Sequence, residues 1–221
     1  MKKAGELVEK TILCYGDSNT WGYIPGSGKL RYDRKIRWPG RLQELLGEEF
    51  YVIEEGLNSR TVVWEDPVTG YRSGLEYLIP CLQTHRPLDL LIIMLGTNDT
   101  QERFQLNGYN IARSMRRMLD AVLISRSGRE EQVPKILLVA PPHILDNLPE
   151  TDLGENMGRG CEWRSREIAP FYEELCREYG CEYLDAQEVC QASTVDAVHL
   201  DAEGHRKLAE ALKKKVKELL V

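Results

Sequence analysis

Five short apolar runs punctuate the chain, at residues 11–15, 51–54, 88–95, 135–140 and 181–184. The third and fourth, LDLLIIMLG and KILLVAPP, are apolar at nearly every position instead of alternating. A strand alternates when one face meets water. An unbroken run marks a strand covered on both faces, as in a parallel sheet. Between the runs, apolar residues recur at helical spacing. WPGRLQELLGEE carries Leu42, Leu45 and Leu46 and stops near Gly47. SGLEYLIPCLQTHR follows, with Pro80 placed to kink it. NIARSMRRMLDAVLISR sets Ile111, Met115, Met118, Leu119 and Val122 on one face and turns Arg113, Arg116 and Arg117 outward. EWRSREIAPFYEELCREYG closes on Gly180, a fitting C-cap. The last helix, from about Asp201, puts Leu208, Leu212, Val216 and Leu219 on one face and a solvated row of lysines on the other.

Strand and helix thus alternate five times. Crossovers so short and regular predict an α/β fold, a doubly wound five-stranded parallel sheet with helices on both sides. The 221 residues suit one domain, spanning 1–221, and show no repeat or linker. In such sheets ligands sit beyond the carboxyl ends of the strands. The loops there are rich in glycine and small polar groups: Gly16-Asp17-Ser18-Asn19, Glu55-Gly56-Leu57-Asn58, Gly96-Thr97-Asn98-Asp99, Pro141-Pro142-His143, and DAVHLDAEGH after the fifth strand.

A nucleophilic site needs a hydroxyl or thiol, a base beside it and a group that orients the base. His199 lies three residues after Asp196, close enough for the carboxylate to hold Nδ1 and leave Nε2 as base. The other histidines are weaker candidates. His85 reads as a surface residue near a helix end, and His205 as a helix-surface or packing residue. His143 reads either as a pocket contact or as loop packing. An oxyanion site needs donors aimed at one point. The Ser18 N–H, Gly56 and Asn98 qualify, although Gly56 is also a plausible turn glycine and Asn98 with Asp99 a plausible helix cap.

Composition narrows the classes. A net charge of −6 and a pI near 5.4 argue against nucleic acid or an anionic membrane as partner. No stretch approaches a membrane span or a signal core, so a cytoplasmic protein is expected. The six cysteines form no C-x-x-C pair, so reduced thiols are expected rather than a metal site. Gly26-Ser27-Gly28-Lys29 imitates the end of a phosphate loop, but Tyr23 and Leu30 stand where a glycine and a hydroxyl belong. Neither a G-x-S-x-G elbow nor a G-x-G-x-x-G turn is present.

Four blocks together resemble the SGNH, or GDSL-type, hydrolases: Gly16-Asp17-Ser18, Gly56, Gly96 to Asp99, and Asp196 with His199. The resemblance spans residues 16 to 199. It implies a flavodoxin-like three-layer α/β/α sandwich and serine ester hydrolysis without metal or other cofactor. Carried onto matching positions, Ser18 is the nucleophile, His199 the base and Asp196 its orienter. Ser18, Gly56 and Asn98 form the oxyanion hole. Asn19 replaces the common leucine of the GDSL block and is expected in the pocket lining. Trp21 is expected to contact substrate with Asn19 and His143. Trp21, Trp38 and Trp64 either wall the pocket or pack in the core. YGDSNTWGY, VIEEGLNSRT, DLLIIMLGTNDT and VHLDAEGHRKLAEAL are most similar to the arylesterase/acyltransferase branch. That branch implies small acyl esters as substrates, acyl transfer to alcohols and a homo-oligomer. A sister branch deacetylates carbohydrates. The competing classes are a non-catalytic binding module and a nucleotide-binding flavodoxin-like protein, the latter disfavoured by the missing phosphate loop. Residues 64–72 and 147–160 are expected to cover the site or meet a neighbouring subunit.

Overall fold

The computed structural model describes residues 9–221 of the chain. Its strands are β1 (Lys10–Gly16), β2 (Phe50–Gly56), β3 (Leu90–Met94), β4 (Lys135–Ala140) and β5 (Glu182–Asp185). Its helices are α1 (Ser18–Trp21), α2 (Trp38–Leu46), α3 (Gly74–His85), α4 (Gly108–Ser125), α5 (Gly154–Met157), α6 (Cys161–Tyr179) and α7 (Ala202–Leu220). The sheet order is β2-β1-β3-β4-β5, and every pairing is parallel. That is the doubly wound, flavodoxin-like arrangement, with its switch point between β1 and β3.

The unbroken apolar runs have the predicted cause. Leu13 and Tyr15 of β1, Leu91 and Ile93 of β3, and Ile136 and Leu138 of β4 face a layer built from α3, α4 and α6. Their neighbours Ile12, Cys14, Leu90, Ile92, Leu137 and Val139 face α2 and α7. Adjacent side chains of a strand point to opposite faces, and here both faces are core. Truncating one such leucine to alanine costs about 2–5 kcal/mol.

Helix ends follow local chemistry. Asp201 caps α7 by accepting the Gly204 N–H at 2.7 Å. Gly180 closes α6 in the left-handed conformation at φ 64°. Pro80 does not break α3, which continues to His85. Pro80 and Glu76, whose carbonyl loses its helical partner, are both exposed, so the break in the hydrogen-bond ladder faces solvent rather than the core. All six cysteines are free, and all but Cys181 are buried. Among the described residues, no helix is long and apolar enough to cross a membrane.

Candidate active site

β1 ends where the sheet switches direction. A Cβ on Gly16 would meet Thr20 Oγ1 at 2.0 Å and the Met94 carbonyl at 2.8 Å, so only glycine lets the chain turn there into α1. Asp17 braces that turn: its Oδ1 accepts the Asn19 N–H at 2.9 Å. Burial pushes the Asp17 carboxyl up to about 6, against the pull of that bond. Ser18 is thereby fixed at the first position of α1. Its N–H meets no acceptor among the described residues.

The loop before α7 supplies the facing groups. Ala197 takes φ 65°, a left-handed conformation uncommon outside glycine, and folds the loop tightly. Asp196 Oδ1 accepts the N–H groups of Val198 at 3.1 Å and His199 at 2.9 Å. Asp196 Oδ2 lies 2.7 Å from His199 Nδ1, and His199 Nε2 lies 2.9 Å from Ser18 Oγ. Burial resists ionisation of Asp196, but the bonds from the His199 ring and the two N–H groups prevail and hold its carboxyl below the usual range. An ionised Asp196 only accepts, so Nδ1 carries the proton and Nε2 is free to take the serine's. Tyr23 stacks on the imidazole with ring centroids 4.2 Å apart. This arrangement has the parts for transferring a proton from a hydroxyl nucleophile.

Asn98 starts a 3-10 turn after β3. Its Nδ2 donates to the Arg60 carbonyl at 3.1 Å, and its Oδ1 accepts from Gln101 Nε2 at 3.2 Å. The amide orientation is thus set, and one N–H remains free. Asp99 is not a cap. Both its oxygens lie 3.0 Å from the Val62 N–H, and burial raises its carboxyl to about 7.

Ser18, Trp21, Asn98 and His199 line one cleft of about 490 Å³. The two long loops also reach it, through Thr69 and Arg72 from one and Leu153, Asn156 and Met157 from the other. Three expected site residues lie elsewhere. Asn19 is buried, its side chain bonded to Val198 O and the Leu200 N–H rather than facing the cleft. His143 lies outside the cleft lining, where its N–H donates to Gln187 Oε1 at 2.9 Å. Gly56 does not line the cleft either. A Cβ there would meet Trp21 N at 2.2 Å, so the glycine serves the packing of α1 on the end of β2. Asn58 and Ser59 line the cleft instead. Ser59 is held at φ 63°, and its N–H has no acceptor among the described residues. A left-handed serine carries no sequence signal. The two small polar residues after Gly56 were the only hint. Trp38 is core, and Trp64 donates to Ser114 Oγ on α4. His205 is fully buried, accepting the Trp38 N–H at Nδ1. His85 is not simply a surface residue: it pairs with Glu55 at 2.8 Å.

Among the described residues, one grouping of metal-capable side chains occurs: Glu55, Cys81 and His85, with ligand atoms within 4.8 Å of one another. It lies outside the cleft lining. Burial pushes the Cys81 thiol up to about 12, which disfavours the thiolate a metal would need. A larger groove of about 890 Å³ runs between Trp64 and α4, without Ser18 or His199.

Known proteins share this architecture. The native aryl esterase of M. smegmatis superposes with a TM-score of 0.90 at 39% identity, over 96% of this chain and 100% of that one. Est24, a carbohydrate acetylesterase from Sinorhizobium meliloti, gives 0.91 at 37% identity over 96% and 100%. An acetylxylan esterase of Xylanibacter ruminicola is 23% identical over 224 residues, 93% of this chain. The chain spans only 43% of that relative's length. The sequence model of the GDSL-like lipase/acylhydrolase family matches residues 14–207, which run from inside β1, through Ser18 and Asp196, to beyond His199. With most of the chain matched and the serine, histidine and aspartate blocks brought together in space, the chain belongs to the GDSL-like lipase/acylhydrolase family.

Proposed function

We propose that the protein hydrolyses small acyl esters, acetyl or aryl, through an acyl-enzyme on Ser18. The observation that carries this reading is the unbroken chain Ser18 Oγ, His199 Nε2, His199 Nδ1, Asp196 Oδ2 at the cleft. His199 takes the Ser18 proton as Oγ attacks the ester carbonyl, and Asp196 steadies the imidazolium that forms. The tetrahedral oxyanion is held by the Ser18 N–H and the free Asn98 N–H. The Ser59 N–H replaces Gly56 as third donor, because Ser59 borders the cleft and Gly56 does not. Each such donor lowers the barrier by about 2.7–4 kcal/mol. His199 then protonates the leaving alcohol, and water or a second alcohol releases the acyl group.

A carbohydrate O-acetylesterase is the second reading. It is favoured by the polar lining (Asn58, Ser59, Thr69, Gln101, Asn156), which suits a hydroxyl-rich alcohol, and by the similarity to carbohydrate acetylesterases. Release of acetate from acetylated xylo-oligosaccharides, compared with phenyl acetate, separates the two. The proposal includes a homo-oligomer joined through loop 64–72, where Val68 and Tyr71 are 75% and 91% exposed. Sedimentation velocity of Tyr71→Ser reads that contact. A serine-directed fluorophosphonate tests the site itself: the tryptic peptide bearing Ser18 should gain the label, and an unlabelled Ser18 in folded protein would refute the reading.

A further inference from the structure

The protein carries a net charge of −6, yet its cleft lining holds two cations, Lys29 and Arg72, and no aspartate or glutamate. Neither cation forms an ion pair among the described residues. The acids of the same loop are committed elsewhere. Glu65 accepts the backbone N–H groups of Arg72, at 3.1 and 3.3 Å, and of Ser73 at 3.2 Å. Asp66 accepts from Val68 N, Thr69 Oγ1 and Arg103. Both carboxylates of the loop are therefore engaged by backbone and side-chain donors other than the Arg72 guanidinium, which lines the cleft without an acidic partner among the described residues. One Arg72 donor, Nη1, reaches the Tyr71 carbonyl at 3.1 Å. Another, Nε, is buried with no partner among the described residues, so the guanidinium is not fully satisfied by the protein's own acceptors.

Lys29 comes from a different loop, at φ 110°, far from the usual lysine backbone. Arg31 adds positive field behind the same wall: it stacks on Trp21 at 4.9 Å and donates to its carbonyl. The carboxylate nearest the reacting groups, Asp196, is buried behind His199 with both oxygens bonded. Asp152 and Glu155 flank Leu153 and Asn156 but stay out of the lining. A neutral ester gives such a cleft nothing to neutralise. An anion would be held there by charge-assisted bonds.

We propose that the cleft selects esters bearing an anionic group, held by Lys29 and Arg72. The proposal rests on the ester-hydrolase reading above and names its substrate class. The anion belongs either to the alcohol part or to the acyl part, and two substrate pairs distinguish these. 4-Acetoxybenzoate against 4-acetoxybenzamide places it on the alcohol. Phenyl hydrogen succinate against methyl phenyl succinate places it on the acyl group.

At pH 7.5 and low salt, kcat/KM for the anionic member of one pair should exceed that of its neutral partner by about tenfold. The ratio should approach one in the Lys29→Gln/Arg72→Gln double variant and shrink for the wild type in 0.5 M NaCl. Arg113→Gln, which removes a cation from the groove beside Trp64, should leave it unchanged. Turnover of the neutral esters with no preference in either pair, or a preference that survives the double variant, overturns the proposal and leaves the esterase reading standing. No turnover of any ester, p-nitrophenyl acetate included, removes both.

Discussion

Asn19 Oδ1 accepts the Leu200 N–H at 2.8 Å, a bond between positions 181 residues apart. The same side chain donates to Val198 O at 3.2 Å. The residue after Ser18 therefore grips the backbone on both sides of His199. It sets the distance between the two loops that the proposed reaction must bring together.

Asn19→Ala should lower kcat by about 10–100-fold with little change in KM, because the imidazole loses its fixed placement while the cleft lining stays. The buried Leu200 N–H and Val198 carbonyl are left unpaired, at a cost of about 1–3 kcal/mol in stability. Steady-state kinetics and urea unfolding read the two effects. A pure KM effect would mean that Asn19 contacts substrate after all.

Asp196→Asn should drop kcat by about 10⁴-fold while the fold survives. The asparagine Oδ1 can still accept from Val198 and His199. Its NH₂, however, would face Nδ1 and force the proton onto Nε2, which removes the base. Circular dichroism checks the fold and p-nitrophenol release the rate.

Asn98→Ala should cost about 10²–10³-fold in kcat if its free N–H stabilises the oxyanion. Gly56→Ala should behave differently. Its Cβ would sit 2.2 Å from Trp21 N, so the loss should appear first as a lower Tm.

His205 gives a pH signature. Its folded pKa is depressed to about 3, by burial first and by the His199 and Arg37 charges after it. A depressed histidine stays neutral in the fold while the unfolded chain takes up a proton below about 6.5. Its contribution to stability is thus present above pH 6.5 and is lost as pH falls toward 3. Asp17 and Asp99, both raised, act oppositely: their contribution is present below about pH 4 and lost as pH rises through about 6 and 7. Comparing variants isolates the histidine. The stability difference between pH 7.5 and pH 5 should be about 2 kcal/mol smaller or more negative in His205→Gln than in the wild type, as read by urea unfolding.

The fold was legible because a doubly covered strand cannot hide: LLIIM of β3 and KILLVA of β4 are apolar for two packing layers at once. Ser18, Asp196 and His199 were legible because strand-end loops concentrate the reactive types, and the structure joins them by hydrogen bonds. What escaped depends on relations between distant loops. Nothing near Asn19 in sequence reveals that it holds Val198 and Leu200 rather than substrate. Gly56 and Ser59 are three residues apart in one polar stretch, and only the approach of α1 to Gly56 tells which one borders the cleft. His143 had a plausible strand-end position but lies outside the cleft lining, whereas Trp38 took the core place that was one of its two readings.

Ser18 is the proposed nucleophile on which the hydrolysis depends. Ser18→Ala, purified and shown to fold like the wild type, should lose about 10⁵–10⁶-fold in kcat for p-nitrophenyl acetate. Wild-type turnover by that variant would rule out Ser18 as the nucleophile.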